Sequence, residues 1–253
     1  ADPYRTNSFH TVTHILISNI FPVQHRLSRM IGGMIMELKI KDPGSALTHF
    51  IAMLAAMVAA TPLLIKAASV PGTMHLKALS VFIVSMILLY AASTVYHTFD
   101  ISEHVNKILR RIDHMMIFIL IAGTYTPVCL IVLGNKSGYR MLSLVWGIAI
   151  VGIIINALWI NCPKWFSSVI YIAMGWVCIM AIRQIVAALT PAAFAWLLAG
   201  GIIYTIGGVI YALKLPIFNS KHKNFGSHEI FHLFVMGGSF CHYMMMYGYV
   251  AAA

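Results

Sequence analysis

Apolar residues run through this chain in long blocks separated by short polar punctuation, and that rhythm predicts helices. Seven blocks fall at about 45–66, 76–98, 106–133, 139–160, 165–189, 191–213 and 228–250. At a rise of ~1.5 Å per residue, each is long enough to cross ~30 Å of hydrocarbon. The breaks carry turn chemistry: Pro71-Gly72, Asn135-Lys136-Ser137-Gly138, Asn161-Cys162-Pro163 and the polar run from Asn219 to Lys223. Only Thr190-Pro191 divides the fifth block from the sixth. Asp42-Pro43-Gly44-Ser45 reads as a helix start, with Asp42 as N-cap and Pro43 in the first helical position.

Ahead of that start, Leu27, Met30, Ile31, Met34, Ile35 and Leu38 recur at spacings of three and four, with Arg26, Arg29, Glu37 and Lys39 elsewhere. This predicts an amphipathic helix over 24–41, lying in the membrane interface or on the protein's own loops. Residues 7–23 are apolar without a period and predict no element. The expected architecture is therefore an all-α polytopic membrane protein. An N-terminal segment, 1–41, precedes a seven-transmembrane helix bundle, 42–253.

Composition strengthens this picture. The chain is 60% hydrophobic and 9% charged, where a soluble domain carries about 25% charged residues. The net charge of +10 is spread over short loops, which suits anionic lipid headgroups rather than nucleic acid. The four cysteines, Cys129, Cys162, Cys178 and Cys241, form no CxxC pair, which argues against a disulfide framework and a thiolate zinc site. No cleavable signal peptide is evident in the first 40 residues.

Charge also orients the bundle. If the N-terminus is cytoplasmic, that side holds Arg5, Arg26, Arg29, Lys39, Lys41, Lys107, Arg110, Arg111, Lys164, Lys214, Lys221 and Lys223. The other side holds Lys66, Lys77, Lys136 and Arg140, with Arg183 near its edge. The positive-inside rule then places the N-terminus in the cytoplasm and the C-terminus outside. Gly200, Gly201, Gly207 and Gly208, with Gly237 and Gly238, are expected to mark close helix contacts. Pro127 is expected to kink the third span.

This topology gathers polar residues at one depth. The second span descends through Ser93 to His97, the third climbs from Asp113, and the seventh climbs through His228 and His232. All lie near the cytoplasmic ends of their helices. His228 and His232 share a helix face at i and i+4. Ionisable groups at membrane depth mark function by default. Three imidazoles with a fourth position left for water describe a catalytic Zn2+ site. Asp113 would hold or deprotonate the zinc-bound water, and Ser93 would hydrogen-bond it or steady a ligand. His49 and His114 are rival ligands at similar depth. His242 lies about 15 Å further along its helix than His232 and is set apart from the cluster. His75, His104 and His222 read as loop residues.

His228-Glu229-Ile230-Phe231-His232 also matches H-E-x-x-H, a zinc-protease signature in which Glu229 would be the general base. An intramembrane protease would draw its third ligand from an aspartate in an Asp-Gly setting. Asp113 is followed by His114 and Asp100 by Ile101, so that setting is missing.

Ser93-x3-His97, then Asp113, then His228-x3-His232 resembles the signature of the hemolysin III family. That family belongs to the progestin and adiponectin receptor superfamily and is distantly similar to alkaline ceramidases. Ala92-Ser93-Thr94-Val95-Tyr96-His97, Ile121-Ala122-Gly123-Thr124-Tyr125-Thr126-Pro127, Tyr171-Ile172-Ala173-Met174-Gly175-Trp176 and Gly237-Gly238-Ser239 extend the likeness over roughly residues 42 to 250. It is nearest the single-chain bacterial branch. The resemblance implies a seven-helix fold with a cytoplasmic N-terminus, opposite to G-protein-coupled receptors. It implies zinc held by His97, His228 and His232, with Ser93 and Asp113 near the zinc-bound water. The segment before residue 42 is longer than compact bacterial members would carry.

Members of the family have been described as cytolysins, receptors, lipid-homeostasis factors and hydrolases. Two readings follow. One is a zinc-dependent hydrolase of lipid amide or ester bonds in the cell membrane, with its site near the cytoplasmic face and a lipid-like substrate or ligand as partner. The other is a non-enzymatic sensor or cytolytic pore with a structural zinc. A pore would need a polar stripe through the spans, whereas the polar residues gather at one end.

Overall fold

The computed structural model describes residues 40–159, 164–213 and 226–253. The expected helix over 24–41 falls almost wholly outside the described residues, as do Asn161-Cys162-Pro163 and the run from Asn219 to Lys223. Residues 40–253 form one compact unit. Among the described residues every regular element is helical.

Helix α1 spans Pro43–Ala68, α2 Met74–Thr98 and α3 Glu103–Pro127, which passes into a wider π-wound turn, Val128–Leu133. Helix α4 spans Lys136–Leu158. The fifth block divides into α5, Lys164–Gly175, a tighter 3-10 stretch, Trp176–Ala181, and α6, Ile182–Ala188. Helix α7 spans Pro191–Leu213. Helix α8 spans Ser227–Met245 and ends in a second π-wound turn, Met246–Val250.

Two of these helix starts have a side-chain cap. Ser102 caps α3 by accepting the Val105 amide at 3.3 Å. Asn135 caps α4 by accepting the amides of Ser137 at 2.9 Å and Gly138 at 3.1 Å. The α-winding of α3 stops at Pro127, whose ring cannot donate to the preceding turn, and Gly134 closes the π turn at φ 55°. The expected kink at Pro127 is thus a change of winding. The break inside the fifth block has no proline and was not expected.

Among the described residues, six helical stretches are long and apolar enough to cross a membrane: Pro43–Ala68, Met74–Thr98, Glu103–Leu133, Lys136–Leu158, Trp165–Ala188 and Pro191–Leu213. Their outer faces are apolar, as with Val58 and Met180, each 76% exposed. Helix α8 is not among the six. Its Ser227, His228, Glu229, His232, Ser239 and His242 lower its hydropathy.

Helix α8 packs most extensively against α7 and also against α1, while α2 lies between α1 and α3. Small residues permit the α7–α8 approach. A Cβ on Gly207 would lie 2.6 Å from the Phe234 Cβ, and one on Gly238 would lie 2.8 Å from the Tyr204 ring. Gly201, expected in the same role, faces open space. Between these helices Tyr90 donates to the Ser239 hydroxyl at 2.7 Å, and the Tyr204 hydroxyl meets it at 2.8 Å. This joins α2, α7 and α8 across the core.

Candidate metal centre

The site begins where the chain enters α1. The amides of Lys41 and Asp42 donate to the carbonyls of Thr98 at 3.2 Å and His97 at 2.9 Å. The first residues of α1 are thereby strapped to the end of α2. Asp42 occupies the N-cap position but makes no side-chain cap bond. Its Oδ2 instead accepts from His97 Nδ1 at 2.9 Å.

That bond selects the tautomer of His97. With Nδ1–H given to a carboxylate, a neutral imidazole keeps its lone pair on Nε2. His97 Nε2 lies 3.2 Å from His228 Nε2. His232 is set in a similar way. Thr48 gives its own hydroxyl proton to the Gly44 and Ser45 carbonyls, each at 3.0 Å. Its oxygen therefore accepts from His232 Nδ1 over a long 3.3 Å, which leaves the His232 Nε2 lone pair available.

Ligand nitrogens of His97, His228 and His232 all lie within 4.8 Å of one another. Bonds of about 2.0–2.1 Å in a tetrahedron put two nitrogens roughly 3.3 Å apart, close to the 3.2 Å separation of His97 and His228. The trio thus fits a metal ion that accepts imidazole. The three histidines expected to converge do so.

The other expected residues stand beside the trio. Ser93, one turn below His97, is 1% exposed, and its Oγ has no hydrogen-bond partner. Asp113 is buried, with Oδ2 3.4 Å from His114 Nδ1. Ser93, Asp113, His228 and His232 line one cavity of about 190 Å³. A buried hydroxyl without a partner needs a polar group in that cavity.

His114 is not part of the trio. Its Nδ1 meets the Arg110 carbonyl at 2.8 Å and its Nε2 meets the Tyr211 hydroxyl at 3.1 Å. His49 comes closer than its rival status suggested. Its ring stacks on His232 with centroids 3.7 Å apart and planes 9° apart, and neither ring nitrogen has a partner.

Glu229 has a structural task. Its Oε1 accepts from Ser45 Oγ at 2.6 Å and its Oε2 accepts the Gly226 amide at 2.8 Å. The carboxylate closes the first turn of α8 and ties it to α1. Both oxygens being occupied, Glu229 is not presented to a substrate as a protease base.

Sequence reasoning missed Asp42 and Thr48 as partners of the histidines, and Ser45 as the partner of Glu229. A signal was present. Ser45, Thr48 and His49 form an i, i+3, i+4 stripe in an otherwise apolar helix, and such a stripe must face something polar.

Away from the trio the cavity is apolar, lined by residues such as Ile117, Leu120, Ile121, Leu197 and Val235. From Tyr211 to Phe194, both in its wall, α7 advances about 26 Å. The space is an elongated apolar chamber with a histidine cluster at one end.

The family model described as Haemolysin-III related matches residues 38–243. "Hemolysin-3 homolog" of Bacillus subtilis (strain 168) is 36% identical over 199 residues, covering 79% of this chain and 89% of that protein. "Hemolysin-3" of Bacillus cereus is 37% identical over 199 residues, covering 79% and 87%. "Adiponectin receptor protein" of Drosophila melanogaster is 38% identical over 58 residues, 22% of this chain and 13% of that protein, which supports the wider superfamily link. With an all-helical bundle, six apolar stretches of spanning length and a matched region that includes every residue of the histidine trio, the chain belongs to the hemolysin III family of multi-pass membrane proteins.

Proposed function

We propose that this protein is a zinc-dependent hydrolase of lipid amide or ester bonds. One observation carries the reading: three imidazole nitrogens converge, with His228 and His232 in the wall of an elongated apolar cavity that also holds a buried carboxylate and a buried, unpartnered hydroxyl. In this reading α8 is the seventh span, the N-terminus is cytoplasmic and the C-terminus is outside. The cluster then lies at headgroup depth near the cytoplasmic face, and a lipid-like substrate enters with its polar end at the histidines.

His97, His228 and His232 would hold the zinc. When bound there, zinc supplies Lewis-acid polarisation of an acyl carbonyl and lowers the pKa of water toward about 7. The chain's own residues do the rest. Asp42 and Thr48 hold two of the imidazoles in the tautomer that presents Nε2. Asp113 accepts the proton of the attacking water and returns it to the departing nitrogen or oxygen. Ser93 donates its unpartnered hydroxyl to the oxygen that gains charge. The apolar walls hold the acyl chain and exclude bulk water.

A second reading has its own support. Asp42–His97 and Ser45–Glu229 already tie α1 to α2 and α8, and a zinc across His97, His228 and His232 would complete a structural clasp for a non-enzymatic sensor. Asp113→Asn separates the two readings. The hydrolase retains zinc and loses turnover of a lipid amide by about a hundredfold or more, measured on the purified zinc-loaded protein. A variant that keeps full turnover, or a wild type that hydrolyses no amide or ester lipid in a broad panel, ends the hydrolase reading.

A further inference from the structure

His242 was set apart from the cluster by its distance, and the fold gives it a place of its own. It is 6% exposed, it lines the same cavity as His228 and His232, and its Nδ1 has no hydrogen-bond partner. The ring's position is built. Gly200 faces the edge carrying Nε2, where a Cβ would come within 2.8 Å. Tyr204 stacks on the ring with centroids 5.4 Å apart and planes 20° apart. An imidazole nitrogen without a partner is costly in an apolar wall, and an ionisable residue inside a membrane bundle marks function by default. Nothing in the reaction at the other end of the cavity uses it.

From the lipid-hydrolase reading, on which this step rests, we propose that His242 is a second polar station in the cavity. It would recognise a hydroxyl group borne partway along the substrate's chain. A hydroxyl fits better than a carbonyl because it both donates and accepts, so it satisfies either tautomer of a neutral imidazole. Distance sets where it must lie. Ten residues separate His232 from His242 on α8, about 15 Å along the axis. An extended chain advances about 1.2 Å per bond, so the hydroxyl sits roughly twelve bonds from the group held at the histidine trio. The substrate class is a mid-chain hydroxylated acyl lipid, and His242 is its specificity residue.

Binding tests this without requiring turnover. Full-length, zinc-loaded protein in detergent is equilibrated with tritiated octadecanoate, and displacement is measured with unlabelled octadecanoate, 3-hydroxyoctadecanoate and 12-hydroxyoctadecanoate. The 12-hydroxy acid should displace the label at a concentration about five- to tenfold lower than the other two, the increment of one buried hydrogen bond. His242→Leu should bring the three acids within about twofold of one another, and His242→Gln should restore part of the preference. Equal affinities for the three acids in the wild type overturn the proposal and leave the lipid reading standing. A preference unchanged in His242→Leu overturns the assignment to His242. If none of the acids displaces the label, or the label does not bind, the lipid reading falls and the proposal falls with it. Should His242→Leu not fold, the 3-hydroxy and 12-hydroxy isomers in the wild type still test the mid-chain station, and a preference unchanged in His242→Gln overturns its assignment to His242.

Discussion

Asp42 illustrates how much one side chain does here. It stands where a helix N-cap stands, yet its carboxylate serves His97. Removing that acceptor frees His97 to rotate or to adopt the other tautomer. Partners of this kind are worth about 10–100-fold in metal affinity. Asp42→Ala is therefore expected to weaken zinc binding by about tenfold or more in a competition titration with a chelator, while α1 itself stays folded. His232→Ala should go further, and elemental analysis should find zinc near one equivalent in the wild type and near zero in the variant.

At this scale the histidines were legible in the sequence and their supporting residues were not. His228 and His232 are spaced by one helical turn, and His97 and Asp113 fall at span ends, so apolar block boundaries alone brought them to one depth. Asp42 could not be read in its true role because an N-cap and a histidine partner call for the same residue type. Its partner is 55 residues away and is found only by packing. His49 was weighed as a rival ligand, and its stack on His232 depends on the angle at which α1 crosses α8, which no local pattern encodes.

At the scale of elements, the α7–α8 contact depends on missing side chains. A Cβ on Gly238 or Gly207 would strike Tyr204 or Phe234, and overpacking of this kind costs about 1–3 kcal/mol. Gly238→Ala should lower the Tm in detergent, whereas Gly201→Ala, in open space, should leave it level or raise it slightly. The glycine spacing was readable as a helix contact, but which glycine of each adjacent pair faces the partner is a matter of rotation about the helix axis. The hinge within the fifth block was hidden for a related reason. Gly175 and Trp176 sit in a continuous apolar run, and the 3-10 stretch forms where the Tyr125 hydroxyl inserts, donating to the Gly175 carbonyl at 2.6 Å and accepting the Cys178 amide at 2.9 Å.

Glu229 belongs to this scale as well, since it joins the first turn of α8 to α1. Glu229→Gln keeps one acceptor and loses the charge. The expected result is a modest fall in Tm, about 1–2 kcal/mol in stability, with lipid hydrolysis changed by less than about threefold. An intramembrane protease would instead lose its activity with this residue, so one variant measured both ways discriminates the readings.

Among the described residues, the buried ionisable side chains gather at one end of the bundle, His242 apart, and the Tyr90–Ser239–Tyr204 bridge forms a further polar layer. The trio joins α2 to α8, with α1 tied to both. A ligand that binds only the folded state stabilises it by mass action. Stripping zinc should therefore lower the unfolding temperature in detergent, and restoring zinc should return it. A fall confined to the wild type and absent in His232→Ala would assign the stabilisation to the trio.

The His97–Asp42 pair joins a buried side chain to an exposed one. The histidine side chain is 3% exposed and the aspartate side chain 42%. If His97 holds an ion, a buried ligand is buttressed by an exposed carboxylate, and this bears on rates as distinct from equilibria. A bound ion would then have a route of exchange that begins at Asp42 and a swing of His97, without opening the bundle. The half-time of metal release should respond to Asp42 substitutions even where the global unfolding rate does not.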